Sequence, residues 1–242
     1  MPSADSQPDA PRTAVVIATY NESLNAPTLV RQVKELLPDA LVIVVDDNSP
    51  DGTSALVRDL GLPGVEVITR TNARGYGTAV RDGLIHACRE GAERVVTMDC
   101  DFSHDPVALP SMFAALEKAD LVIGSRYAGG VRVINWQMKR LLLSIFANFY
   151  VRTILSLGAE DCTSGYRGYR RELLARMNLR TVRSNGYSFL VEMLWRGKRR
   201  GAVVVETPII FVERREGEPK MSSAVIYESI FMPWRLRLGG KI

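Results

Sequence analysis

Asp99-Cys100-Asp101 places two carboxylates one residue apart, directly after the short β-type run Arg94 to Met98. At a strand end such a pair can converge on one cation, and a hard divalent ion such as Mg²⁺ or Mn²⁺ completes its shell with phosphate oxygens of a ligand. Asp-x-Asp alone is more often a turn or surface string; its position after a buried strand is what raises it. Asp46-Asp47 closes a second run, Leu41 to Val45. An acidic residue there can hydrogen-bond a ribose or base edge, Asp46 facing the ligand while Ser49 to Thr53 build the turn and helix cap. Arg126, inside the turn Gly124-Ser125-Arg126-Tyr127, suits charge-assisted anion binding.

The elements that position these residues can be read from periodicity. Ala14 to Ala18, Leu41 to Val45, Val65 to Thr69, Arg94 to Met98 and Leu121 to Gly124 read as strands. Between them, helical patterns run through Val30, Val33 and Leu36, from Thr53, from Gly77 to Cys88 and from Val107 to Lys118. Strands apolar on both faces and alternating with helices predict an α/β fold with a mostly parallel central sheet and helices on both sides. Ligands then bind beyond the carboxyl ends of the strands, at Thr19 to Glu22, Asp46 to Gly52, Asp99 to His104 and Gly124 to Tyr127. The second half predicts an amphipathic helix over Trp136 to Leu157, a polar loop over Glu160 to Tyr169 and a helix ending near Arg199. Strands at Val203 to Glu206 and Ile209 to Val212 and a final amphipathic helix from about Ser222 complete it.

Composition narrows the class. With 46% hydrophobic and 24% charged residues the chain can bury a substantial core. Met1 to Arg12 carry no apolar run and are expected to be a disordered leader, with one domain over 13–221 and a membrane-proximal segment over 222–242. Three cysteines without ligand spacing argue against a disulfide framework or a zinc site. Leu141 to Leu157 contains Asn148 and Arg152 and falls short of the roughly 18 uncharged residues of a spanning helix. The net charge of +4 decides nothing by itself, but basic residues gather after residue 120 while the notable aspartates lie before it.

Six strings in order, Ala18-Thr19-Tyr20-Asn21-Glu22, Val45 to Thr53, Met98 to His104, Gly124 to Tyr127, Asp161-Cys162-Thr163-Ser164-Gly165-Tyr166-Arg167 and Phe211-Val212-Glu213-Arg214, resemble the polyprenol (dolichol) phosphate mannosyltransferases, family 2 glycosyltransferases of the GT-A fold. The resemblance covers residues 13 to about 223. It implies a nucleotide-sugar pocket of Ala18, Tyr20, Glu22, Val44, Asp46, Asp99, Cys100, Asp101, Arg126, Arg214 and Lys220. Asp99, Asp101 and Ser103 would hold Mg²⁺ or Mn²⁺; Ser125, Arg126, Arg132, Ser164 and Arg167 would receive the acceptor phosphate; Asp99, Asp101 and Arg126 would carry catalysis. Where the family commonly has proline, alanine and Gly-x-Ser-Lys, this chain has Ala18, Cys100 and Gly217-Glu218-Pro219-Lys220, so the lysine loop loses a hydroxyl and gains a rigid residue.

The implied reaction is inverting, metal-dependent transfer of mannose from GDP-mannose to a polyprenyl phosphate. An acceptor already anionic at neutral pH needs positioning more than a base, so His104 is expected to shape its loop. A lipid tail holds the acceptor in the bilayer, so a peripheral position on the cytoplasmic face of a membrane is expected, through shallow insertion of Trp136 to Leu157 and Ser222 to Arg237 or a separate anchoring subunit, with no nucleic-acid partner. UDP-glucose as donor keeps the same mechanism. A non-catalytic, membrane-associated nucleotide-sugar-binding protein is the alternative of another class, opposed by the intact Asp99 and Asp101. A nucleotidyltransferase would show a glycine-rich triphosphate loop after the first strand, which is missing.

Overall fold

A strand that is apolar on both faces needs cover on both sides, and the chain supplies it by alternating strands with helices. The computed structural model describes residues 12–72, 74–182, 184, 186–213 and 223–239. The first half runs β1 (Thr13–Thr19), α1 (Ala26–Leu36), β2 (Leu41–Asp46), α2 (Thr53–Arg58), β3 (Val65–Thr69), α3 (Tyr76–Arg89), β4 (Arg94–Asp99), α4 (Leu109–Ala115) and β5 (Leu121–Ser125). The second half adds β6 (Val133–Ile134), α5 (Met138–Leu155), β7 (Arg167–Arg170), α6 (Arg171–Met177), α7 (Gly186–Arg199), β8 (Val204–Pro208), β9 (Phe211–Val212) and α8 (Ser223–Leu238).

Among the described residues seven strands form one sheet in the order β3-β2-β1-β4-β7-β5-β8, and β6 pairs with β9 in a small separate ladder. The large sheet is parallel except for β7, which runs antiparallel to both β4 and β5. Side chains alternate between its faces. Ala14, Val16, Ile43 and Val45 pack with Val80 and Leu84 of α3 and Phe189 and Met193 of α7. Val15, Ile17, Val42 and Val44 pack on the other side with Leu29, Val30 and Val33 of α1 and Met112 of α4. Gly83 lets α3 lie directly on the sheet, since a Cβ there would stand 2.4 Å from Val16 and 2.9 Å from Val45 side-chain atoms. That close seating carries Tyr76, the first residue of α3, to the end of β4.

The mostly parallel sheet is as expected, and four features differ in detail. The helix expected over Val107 to Lys118 divides into a 3₁₀ turn, Pro106–Ala108, and α4, with Pro110 in the first turn of α4. The polar loop expected over Glu160 to Tyr169 ends instead in β7, which inserts between β4 and β5. The helix expected from Trp136 starts at Met138 and is stopped by Ser156 in the left-handed region, φ 53°. Finally, α5 is not amphipathic: Val151, Ile154 and Leu155 face the core while Leu142, Leu143, Phe146 and Phe149 are exposed.

Candidate functional site

The turn after β4 is held by its own polar atoms. Asp101 Oδ1 accepts from the Ser103 backbone N–H at 3.1 Å and from the Ser103 hydroxyl at 2.5 Å. Phe102 between them adopts φ 59°, a left-handed conformation rare for a bulky residue. His104 accepts at Nδ1 from the Asp99 backbone N–H at 3.0 Å. Its ring stacks on Tyr166, centroids 4.9 Å apart, and meets Phe211 edge-on at 5.5 Å. Burial pushes the imidazole pKa down, so His104 is neutral and structural, the loop-shaping role expected of it. From the opposite side the buried Tyr76 hydroxyl lies beside Asp99; burial first and the Asp99 charge second push its phenol far up, keeping it protonated. Gly165 passes close by, and a Cβ there would stand 2.5 Å from the Tyr76 hydroxyl and 3.3 Å from Asp99 Oδ1.

These residues suit a hard divalent ion. Asp99, Asp101 and Ser103 offer oxygen alone, with the Ser103 proton directed at Asp101. Among the described residues no group of three or more His, Cys, Asp or Glu gathers as a closed metal cage. A two-carboxylate site of this kind leaves most of the shell to ligand oxygens, as Mg²⁺ with phosphates requires.

The ends of β1, β2 and β3 form the neighbouring part of the face. The Asp46 carboxylate, expected to face a ligand, is 0% exposed. It accepts from Thr19 Oγ1 at 3.1 Å, the Ser49 backbone N–H at 3.0 Å and Ser54 Oγ at 2.8 Å, and also from the Ser49 hydroxyl. The expectation is corrected: Asp46 is turned inward as the organiser of the turn, because three hydroxyls and an amide reach it first. The side chains of Val44 and Cys100 lie in the core beneath the site, so that their backbones are what a ligand there can meet. Ala18 is partly exposed and Tyr20 half-buried. Glu22 is buried and accepts from Asn25 Nδ2 at 2.9 Å. Asp47 accepts from Arg70 at 2.6 Å and from the Gly75 backbone N–H at 2.7 Å, pinning the β3–α3 loop; burial, outweighing Arg70, raises its pKa. Arg74, in that loop, lays its guanidinium 4.7 Å from the Tyr20 ring centroid.

On the β5 side, Arg126 is clamped by Asp161. Its Nε and Nη2 donate to the two carboxylate oxygens at 2.7 and 2.6 Å, its backbone N–H donates at 3.0 Å, and Nη2 also reaches Thr163 Oγ1 at 2.7 Å. Burial raises the Asp161 pKa, but the Arg126 charge and the hydrogen bonds from Arg126 and the Thr163 backbone outweigh it and hold the carboxyl below its usual range. The rings of Tyr127, Trp136 and Phe211 surround the guanidinium at 5.4 to 5.5 Å. Insertion of β7 is what brings Asp161 to Gly165 here, between the ends of β4 and β5; Thr97 Oγ1 of β4 donates to the Gly165 carbonyl at 2.9 Å.

Of the acceptor-phosphate set, Ser125 Oγ accepts from the backbones of Tyr127 and Ala128, and Ser164 Oγ donates to the Gly124 carbonyl at 2.6 Å. Both hydroxyls brace the turn around Arg126. Arg132 is exposed on the same loop, its backbone N–H bound to the Arg126 carbonyl. Arg167 is corrected. It is 0% exposed and donates to the carbonyls of Ser164, Leu190 and Cys162 at 2.7 to 2.8 Å, so it staples the loop to α7 and has no access to a phosphate. Arg214 and Lys220, with the whole Gly217 to Lys220 string, lie outside the described residues. Asp161 was given no role from sequence although it opens one of the six strings; Tyr76 and Arg74 flank Gly75 in the Arg74-Gly75-Tyr76-Gly77 turn and were also missed.

Immediately after this site α5 begins. Trp136 contacts Arg126 on one side and Arg140 at 4.4 Å on the other, and Arg140 pairs with Glu213 at 2.5 Å. Between α5 and α8 lies an open groove of about 500 Å³ lined by Phe146, Phe149, Tyr150, Ile154, Trp234 and Arg237. The Trp234 indole donates to Tyr150, whose hydroxyl donates to the Ile230 carbonyl. Among the described residues no helix is long and apolar enough to cross a membrane.

Residues 14–177 match the sequence profile described as Glycosyl transferase family 2. The chain is 44% identical, over 93% of its length and 88% of the relative's, to the polyprenol monophosphomannose synthase of Mycolicibacterium smegmatis. It is 40% identical, over 90% of its length and 91% of the relative's, to the undecaprenyl-phosphate mannosyltransferase of Micrococcus luteus. The glucosyl-3-phosphoglycerate synthase of Mycobacterium tuberculosis, solved with Mg²⁺ and UDP, shares the fold at TM-score 0.71 and 18% identity, covering 95% of this chain and 80% of that one.

Proposed function

Because the chain belongs to glycosyl transferase family 2, we propose that it moves mannose from GDP-mannose onto a polyprenyl phosphate, inverting the anomeric centre and working as a peripheral protein on the cytoplasmic face of a membrane. The observation that carries this reading is contiguity. Trp136, whose ring meets Arg126, leads straight into α5, so the arginine proposed to receive the phosphate and an exposed apolar helix adjoin. A phosphate on a long hydrocarbon tail asks for that pairing, and the names of the two bacterial relatives supply the same lipid class and sugar.

In the proposed reaction an acceptor phosphate oxygen forms its bond to the anomeric carbon as the bond to the diphosphate oxygen breaks, and that electron pair leaves with GDP. No proton acceptor is required, since the attacking oxygen is already anionic. The chain's contribution is placement and charge. Asp99 and Asp101, in a turn braced by His104 and Ser103, would hold a divalent ion that, when bound, neutralises charge on the departing diphosphate. Arg126, oriented by Asp161, and the exposed Arg132 face the two phosphates from the β5 side. The outer side chains of α5 and α8 enter the lipid boundary, directly or beside an anchoring subunit.

Transfer of labelled mannose from GDP-mannose to a short polyprenyl phosphate, scored as organic-extractable product, tests the reading. Product that disappears with EDTA and returns with Mn²⁺ is expected. Product from UDP-glucose in place of GDP-mannose would overturn the donor, and no product from either, with no nucleotide binding, would favour a non-catalytic role.

A further inference from the structure

We infer that Arg74 reads the base of the donor nucleotide and sets its preference for guanine, an inference that rests on the GDP-mannose reading. The other polar groups at this end of the sheet are already engaged. Asp46 is committed to Thr19, Ser49 and Ser54, and Asp47 to Arg70 and Gly75. Arg70 is held by Asp47, Asp82 and Thr78. Arg74 differs from all of these. Its side chain is exposed, and among the described residues its guanidinium makes no hydrogen bond or ion pair, while it lies over the Tyr20 ring.

The strand order β3-β2-β1 makes that contact a bridge. Arg74 leaves the loop after β3, passes the end of β2 and reaches Tyr20 at the end of β1. The loop beneath it is fixed, because Asp47 holds the Gly75 amide and Thr78 donates to the Gly75 carbonyl at 2.9 Å. A planar, weakly hydrated cation resting on an aromatic face is readily exchanged for another planar group, here the base, after which the guanidinium lies at the base edge. Guanine presents two acceptors side by side, O6 and N7, which match the arginine fork; uracil presents one carbonyl on the corresponding edge. Arg74 thus acts on specificity, apart from the bond-making centre at Asp99 and Asp101.

The test is isothermal titration of GDP and of UDP, each with Mn²⁺, into the wild-type protein and the variants Arg74→Ala and Arg74→Lys. Wild type is expected to prefer GDP. Both variants are expected to lose roughly tenfold or more in GDP affinity, the worth of a bidentate contact, with UDP affinity changed little, because lysine keeps the charge and loses the fork. An unchanged GDP-to-UDP ratio in Arg74→Ala, an equal loss for both nucleotides, or full preference retained by Arg74→Lys would each overturn the inference while leaving the GDP-mannose reading standing. A wild-type protein that does not prefer GDP would overturn both. Thermal melting of the variants should match wild type, since among the described residues the side chain rests on the Tyr20 ring alone.

Discussion

Around β4 the turn at residues 99–104 is held by hydrogen bonds among its own atoms, with His104 stacked on Tyr166, whereas along α5 and α8 Leu143, Phe146, Phe149 and Phe231 each stand more than half exposed. The first region is finished by the protein and accepts a ligand as it is; the second is finished by its surroundings. A diphosphate is small, highly charged and best met by groups whose positions are already fixed. A lipid boundary is fluid and asks only for area and a few basic residues at the edge. Rigidity in one place and unsatisfied apolar surface in the other are therefore two answers to two ends of one proposed acceptor.

The contrast can be broken from either side. Asp101→Ala should reduce transfer by about a thousandfold while the melting temperature stays near wild type; substantial residual transfer would show that the β4 turn is not where charge is handled. Asp161→Ala leaves Arg126 buried without its partner and should lower stability by about 3–5 kcal/mol, read from urea unfolding, with transfer lost as well. A variant of unchanged stability would mean that the Arg126–Asp161 pair does not organise this end of β5. Phe146→Ser combined with Phe149→Ser should weaken sedimentation with anionic vesicles by roughly tenfold or more, given about 1.5–3 kcal/mol for burying one such side chain, and leave turnover of a short, detergent-dispersed acceptor within about twofold. Loss of both properties together would erase the division between the two regions.

The smallest effect is on pH dependence. The folded pKa of Asp161 lies below its unfolded value, so its contribution is present above about pH 3.9 and is lost as pH falls through the folded pKa. Asp161→Asn should remove that part of the acid-unfolding profile, checked by denaturant titrations between neutral pH and pH 3. If the profile keeps its shape, some other carboxylate governs acid stability.

The sheet was legible because Ala14 to Ala18, Leu41 to Val45 and Leu121 to Gly124 are apolar on both faces, a pattern that only double cover explains. Arg167-Gly168-Tyr169-Arg170 hid a central strand because its charges suggested solvent, when three backbone carbonyls were waiting to accept from Arg167. The same blindness put Asp46 in the ligand's path: sequence gives the carboxylate but not the hydroxyls of Thr19, Ser49 and Ser54 that converge on it. Conversely, Asp161 was written in plain view but acquires meaning only once β7 lies beside β5 and delivers it to Arg126. Charged residues reveal their role through partners distant in sequence, whereas apolar periodicity reveals its own.

Insertion of β7 also bears on how the protein is made. Among the described residues β5 pairs with β7 and β8 alone, and the second neighbour of β4 is again β7. During synthesis, then, β4 presents an open edge and β5 has no strand to join until Arg167 and the residues after it have left the ribosome. The nascent chain passes through a stage in which half a sheet is complete and the apolar strand β5 is unprotected, the condition under which chaperone binding or aggregation competes with folding.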